Sequence, residues 1–192
     1  MIAQVETKTY TAEEYLEAEV NSLDRHEFIN GEIIPMAGGT PDHNEISANL
    51  IGALKLALKG KPYRTFNSDQ RLWVPQLNNY TYPDVIVAAK PIELQSGRTD
   101  TITNPLLIAE VLSKGTKAYD RDDKFAAYRS IPSFQEYLLI DQYRLQVEQY
   151  SKTDANKWIF SEYSCAGDRL MLSSISVEIL VSDLYENIEF VE

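Results

Sequence analysis

One run of residues, Leu106-Leu107-Ile108-Ala109-Glu110-Val111-Leu112, constrains the fold of this chain most tightly. Apart from its glutamate it is continuously apolar, the pattern of a strand covered on both faces. Burying a carboxylate costs several kcal/mol (~2–7 for a polar group, more for a charge) unless a cation or hydrogen-bond donors meet it. A second anomaly lies upstream, where Asp84 opens the β-branched, apolar run Val85-Ile86-Val87-Ala88. Two acids at the edges of two buried strands suggest a divalent metal between them. The same residues are also consistent with strand-end caps or with partners for Arg and Lys.

The flanking sequence supplies the rest of the frame. Thr11-Ala12-Glu13-Glu14 has the form of a capping box and predicts a short helix over 12–20. His26-Glu27-Phe28-Ile29 and Glu32-Ile33-Ile34 flank Asn30-Gly31, a strong type I′ hairpin signal. Ile46, Leu50, Ile51, Leu54 and Leu58 recur at helical spacing, so a second helix is expected over 42–59, ended by Gly60 and Pro62. Strands are expected at 63–66, 71–74, 136–141, 144–150, 158–163 and 169–172, with polar loops at 78–82 and 91–105. A helix over 119–130 is stopped by Pro132, and 181–184 reads as a short helix or turn. This order gives an α/β or α+β domain built around one central sheet, and the 192 residues suffice for a single domain with a proper core.

Composition narrows the chemistry. Cys165 is the only cysteine, which excludes an intrachain disulfide and a cysteine-based zinc site, and two histidines make a His-rich metal site a poor fit. No apolar run approaches the roughly 20 residues of a membrane span. The first eleven residues show no signal peptide, so a reduced, cytoplasmic compartment is expected. The net charge of −11 and the lack of a basic cluster in the sequence weigh against nonspecific duplex binding. They do not exclude a locally positive surface, or divalent cations offsetting acidic groups.

Five further residues are candidates. In Asp120-Arg121-Asp122-Asp123-Lys124-Phe125-Ala126-Ala127-Tyr128, positions 120, 124 and 128 share one helical stripe. Phe125 and Tyr128 mark the apolar boundary, so Lys124 is able to point inward, where a lysine beside a metal orients water and stabilises phosphate charge. The competing reading is an Asp120–Lys124 surface pair of a few tenths of a kcal/mol, roughly 0.3–0.5. Glu27, just before the hairpin turn, is a candidate third carboxylate or a solvated hairpin acid. Gln70 is a candidate contact to metal, water or phosphate. His43, at the start of the second helix, is a candidate anion contact or a surface residue. Tyr128 is a candidate substrate contact or a core-edge aromatic.

Taken together, Pro83-Asp84, Glu110-Val111-Leu112-Ser113 and Asp120-Arg121-x-x-Lys124-x-x-x-Tyr128 resemble the putative restriction endonuclease family, a family especially abundant in cyanobacterial genomes and part of the PD-(D/E)xK nuclease superfamily. Arg25-His26-Glu27-Phe28-Ile29-Asn30-Gly31-Glu32-Ile33 resembles its N-terminal hairpin. Residues 131–141 resemble the strand that follows its lysine-bearing helix. The resemblance runs from about Thr11 to Tyr150, and these segments in their chain order are together more specific than Asp-x25-Glu alone.

The resemblance implies a restriction-endonuclease-like core, a central mixed β-sheet flanked by helices, with metal-dependent phosphodiester hydrolysis. It implies Asp84 and Glu110 as ligands of Mg²⁺ or Mn²⁺, Glu27 as an acid near the same centre, and Lys124 as the catalytic lysine. The usual superfamily motif carries its lysine two residues after the glutamate. Leu112 stands there in this chain, so the lysine is expected from the following helix, with Lys114 a weaker substitute. The expected function is a DNA endonuclease acting as a homodimer, with Trp158, Tyr163 and the C-terminal edge strands as interface candidates. The alternative is an inactive nucleic-acid- or protein-binding regulatory module on the same fold.

Overall fold

The computed structural model describes residues 8–190. The first seven residues, which include most of the segment read as lacking a leader, lie outside the described residues. The element order is α1 (Ala12–Val20), β1 (His26–Ile29), β2 (Glu32–Pro35), α2 (Pro41–Ala57), β3 (Tyr63–Asn67), β4 (Arg71–Val74), β5 (Asn79–Thr81), β6 (Val85–Ala89), β7 (Thr101–Ile102) and β8 (Pro105–Leu112). A helical segment follows, in which α3 (Lys117–Tyr119) passes through a π turn (Asp120–Lys124) into α4 (Phe125–Tyr128). The chain ends with β9 (Glu136–Asp141), β10 (Val147–Asp154), β11 (Lys157–Tyr163), β12 (Arg169–Leu172), β13 (Val177–Leu180) and α5 (Val181–Leu184).

The protein is mixed α+β with central mixed sheets flanked by helices, as expected, but the strands divide into three sheets rather than one. The six-stranded sheet has the order β11-β10-β9-β8-β6-β3, with β8 and β9 parallel and the other neighbours antiparallel. A five-stranded sheet, β2-β1-β5-β4-β7, and a β12-β13 ribbon complete the framework. β5 and β7 form inside segments that read as loops, and β13 carries no strand expectation. These strands have two to four residues, too few for a periodic signal, and their pairing partners decide them.

Helix starts follow their caps. Thr11 accepts from Glu14 N while the Glu14 carboxylate accepts from Thr11 N, a complete capping box. Thr40 caps α2 by accepting from His43 N, with Pro41 at the first helical position. In the first hairpin Asn30 and Gly31 both adopt positive φ, 52° and 87°, the turn conformation that Asn-Gly tolerates best.

Strand periodicity sorts the central core into two layers. Along β6 and β8, Val85, Val87, Leu107, Ala109 and Val111 face α2, where Ile46, Leu50, Leu54 and Leu58 close over them. Ile86, Ile108 and Leu112 face the other way, toward Phe125, Ala127 and Tyr128. Burying the Val, Leu, Ile and Phe side chains among these stabilises the sheet by roughly 1.5–3 kcal/mol each. Glu110 shares the face of Ile108 and Leu112 because the side-chain period of a strand is two. The fold therefore directs it at the helical segment that carries Lys124.

Candidate active site

Glu110 and Asp84 are clasped together by the pairing of β6 with β8. Val111 N donates to Asp84 Oδ2 at 2.7 Å, and Asp84 N donates to Glu110 Oε2 at 3.4 Å. Glu110 is 3% exposed. Its Oε1 accepts from Tyr128 OH at 3.0 Å and from Lys124 Nζ at 3.1 Å. A buried carboxylate with three donors, one of them a cation, has what its burial demands.

Lys124 Nζ also lies 3.2 Å from Asp120 Oδ1 and 3.6 Å from Glu27 Oε1. The ring of Tyr119 sits 5.6 Å from the ammonium. Glu27 reaches the group from β1 and is held by Tyr82 N at 3.3 Å. The local cause of this convergence is the π turn, which widens the helix where residues 120 to 124 turn their functional side chains inward. Such π turns recur at functional sites.

His43 completes the wall from α2, with Nε2 3.2 Å from Asp84 Oδ2. The loop before α2 packs onto it closely. A Cβ on Gly39 would fall 2.8 Å from His43 Nδ1 and 2.8 Å from Asn44 Oδ1, so any side chain there would displace the His43 ring or the Asn44 amide. These residues line a cleft of about 470 Å³.

Charge in the cleft is uneven. Burial, the strongest influence, pushes the Glu110 carboxyl well above its ordinary range; Lys124 opposes the rise, and Asp84, Asp120 and Glu27 add to it. Burial works against the Lys124 ammonium, yet Glu110, Glu27 and Asp120 hold its pKa well above that of an ordinary lysine. His43 loses solvation, but the hydrogen bond and charge of Asp84 carry its pKa upward on balance.

Four carboxylates dominate the donor set, with one lysine among them and the His43 imidazole beside Asp84. Asp120 Oδ1, buried at the cleft wall, has the Lys124 ammonium 3.2 Å away but accepts no well-aligned hydrogen bond. This chemistry fits a hard divalent cation such as Mg²⁺ or Mn²⁺, which takes one or two carboxylates and keeps several waters. Asp84 and Glu110 are the residues that would hold it. Among the described residues, no three acidic, His or Cys side chains are grouped closely enough to form a complete protein cage.

Of the residues singled out from sequence, Asp84, Glu110, Lys124, Glu27, His43 and Tyr128 are brought together, and Gln70 is not. Gln70 is absent from the cleft wall, its amide spent on Arg71 O at 3.1 Å and Asp100 O at 2.8 Å. Tyr128 is completely buried, so the substrate contact expected of it gives way to a hydrogen bond that orients Glu110. The weaker lysine candidate, Lys114, lies over the ring of Tyr143 at 5.3 Å and does not line the cleft. Trp158, expected at an interface, packs against Phe125 and Phe134 at ring separations of 5.2 and 5.5 Å.

Asp120, Tyr119 and Gly39 are site residues that the sequence did not single out. The i, i+4 spacing of Asp120 and Lys124 was a usable signal, but it reads equally as a surface pair. The structure buries both, at 2% and 7% exposure.

Residues 12–181 match the model of the Uma2 family, described as "Putative restriction endonuclease". An uncharacterized protein of Synechocystis sp., sll1609, is 43% identical over 162 residues, covering 84% of this chain and 92% of its own. A second from the same organism, slr1290, is 38% identical over 178 residues, covering 93% of this chain and 92% of its own. The crystal structure of a protein described as a putative nuclease belonging to DUF820, from Anabaena variabilis, superposes with a TM-score of 0.75. It spans 94% of this chain and 98% of that one. At 17% identity this likeness is one of fold.

Proposed function

The chain belongs to the Uma2, "Putative restriction endonuclease", family, and on that premise we propose that it is a metal-dependent DNA endonuclease. In this reading a single restriction-endonuclease-like domain spanning residues 1–192 hydrolyses phosphodiester bonds by a PD-(D/E)xK-type reaction, its lysine supplied from a helix. The observation that carries it is the approach of Lys124 Nζ to Glu110 Oε1 at 3.1 Å, beside the Asp84 carboxylate clasped to the same strand.

Asp84 and Glu110 hold Mg²⁺ or Mn²⁺, with Glu27 alongside. The cation supplies a lowered pKa for water and a sink for charge developing on phosphate. Lys124, kept protonated by its carboxylates, orients the attacking water and stabilises the phosphate charge. Tyr128 fixes the rotamer of Glu110, and His43 fixes that of Asp84. The enzyme acts in the cytoplasm as a homodimer. β11, the outermost strand of the six-stranded sheet with Ile159 and Phe160 exposed, is the proposed contact. A monomer in light scattering at micromolar concentration would remove the dimer.

The test is cleavage of supercoiled plasmid, linear duplex, RNA and nucleotides with Mg²⁺ or with EDTA. The reading predicts cation-dependent nicking of DNA, abolished in Asp84→Ala and Lys124→Ala. Folded wild-type protein that cuts no DNA would overturn it. A second reading, a non-cleaving binding module, draws on the three carboxylates surrounding Lys124. Survival of DNA binding without any cleavage would favour that reading.

A further inference from the structure

A nuclease needs cationic purchase on the nucleic-acid backbone, and the cleft cannot provide it. Its lysine is already faced by Glu27, Glu110 and Asp120. In a chain of net charge −11, the purchase has to come from another surface, and the fold assembles one. Lys55, Lys59, Lys61, Arg64 and Lys90 are all exposed, and none forms a salt bridge among the described residues. They sit at the end of α2, in the turn to β3, on β3 and just past β6.

Pairing brings these segments together. Lys61 N donates to Leu58 O at 3.0 Å and Lys90 N to Pro62 O at 2.8 Å, while Tyr63 and Arg64 pair with Ala89 and Ala88. The same region excludes acids. No Asp or Glu occurs between Glu45 and Asp69, or between Asp84 and Glu93, although the chain has 29 acidic residues. A helix C-terminus favours cations, which accounts for Lys55 and Lys59. It does not account for Lys61, Arg64 and Lys90, which lie beyond the helix. Charge on an edge strand discourages aberrant pairing, which accounts for Arg64 alone.

The patch and the cleft are joined by α2. His43, in its first turn, faces Asp84; Lys55 and Lys59 lie about 18–24 Å further along the helix axis. The exposed ridge between them consists of Asn44, Ala48 and Gly52. Even a Cβ at Gly52 would meet nothing within 4 Å. Gly52 leaves its stretch of the ridge open, while Asp42, Glu45 and the Glu186 segment flank the ridge nearer the cleft; one DNA strand following it spans about five to seven phosphates.

We infer that the surface formed by Lys55, Lys59, Lys61, Arg64 and Lys90 binds the phosphate backbone of duplex DNA that extends from the cleft along α2. The inference rests on the nuclease reading for the identity of the polyanion.

The experiment is fluorescence anisotropy with a labelled duplex of about 30 base pairs in EDTA, over a range of salt concentrations. Wild type is compared with Lys55→Gln/Lys59→Gln/Lys61→Gln/Lys90→Gln and with Lys8→Gln/Arg129→Gln/Lys152→Gln/Lys157→Gln, which removes the same charge elsewhere. The first variant is expected to bind about tenfold more weakly or worse, with the log K against log salt slope reduced by about 3 to 4; the second changes little. Unchanged binding in the first variant, or equal losses in both, would overturn the inference. So would a fall in solution mass on removing the four lysines, which would assign them to a second copy of the chain. Cation-dependent cleavage is read separately. Patch-dependent binding without cleavage refutes the nuclease reading alone, and cleavage with patch-independent binding refutes the patch alone.

Discussion

Lys124 Nζ and Glu110 Oε1 lie 3.1 Å apart, both buried, although they come from a helix and a strand fourteen residues apart in sequence. Strand periodicity points Glu110 at the helix, and the π turn presents Lys124 to it. Neither charge is tolerable there without the other. Removing one partner of a buried pair is expensive, about 3–5 kcal/mol. Lys124→Met is therefore expected to destabilise the protein by about that amount near neutral pH, and to lose cleavage. The penalty comes from carboxylates left ionised, so it should shrink as pH falls and they protonate. Urea unfolding at pH 5 and pH 8 checks this, and an equal loss at both would contradict it.

His43 supplies a pH-dependent contribution of its own. Its folded pKa is raised from the ordinary 6.5, burial being outweighed by the Asp84 contact. A raised histidine pKa contributes stability that is fully present below the unfolded value and is lost as pH rises through the folded value. In chelator, the stability gap between wild type and His43→Asn should be widest under acid conditions and close toward alkaline pH. A gap that grows with pH would mean that the contact with Asp84 is not formed in solution.

Tyr128→Phe keeps the ring and its packing but removes the hydroxyl that meets Glu110 at 3.0 Å. The loss of one hydrogen bond to a charged group, about 1.5–3 kcal/mol, is expected in kcat rather than KM. A rise in KM with kcat unchanged would instead return Tyr128 to the substrate-binding role suggested by sequence.

Glu136 is a buried acid of another kind. Fully buried at the start of β9, it accepts from Gln149 Nε2, Ser151 Oγ, Ser173 N, Ser174 N and Ser174 Oγ. These bonds fasten the turn between β12 and β13 to the six-stranded sheet. Glu136→Ala should cost about 2–4 kcal/mol in stability, since it leaves several donors without a partner. Cleavage per folded molecule should be unchanged. A selective loss of activity at full stability would place Glu136 in the chemistry.

These cases show what the sequence could and could not convey. The capping box at Thr11 and the Asn30-Gly31 turn were legible because their chemistry is local. Asp84 and Glu110 stood out because an acid in an apolar strand is a conflict that only tertiary structure resolves. Asp120 was ambiguous, since its burial depends on a helix packing against a sheet and on a π turn that no short-range pattern announces. β5 and β7 were hidden for the same reason: strands of three and two residues exist only through distant partners. The basic surface is partly local, since Lys55, Lys59, Lys61 and Arg64 fall within ten residues free of acids, and only Lys90 depends on the β3–β6 pairing to join them.

The central claim is that Asp84 and Glu110 together bind a divalent cation, and calorimetric titration with Mn²⁺ tests it most directly. Wild type, Asp84→Ala and Glu110→Ala are titrated alongside one another in the presence of a hydrolysis-resistant duplex. The account predicts a saturable site in wild type that disappears in both variants. An isotherm retained in either variant, or no binding by folded wild type with duplex present, would contradict it.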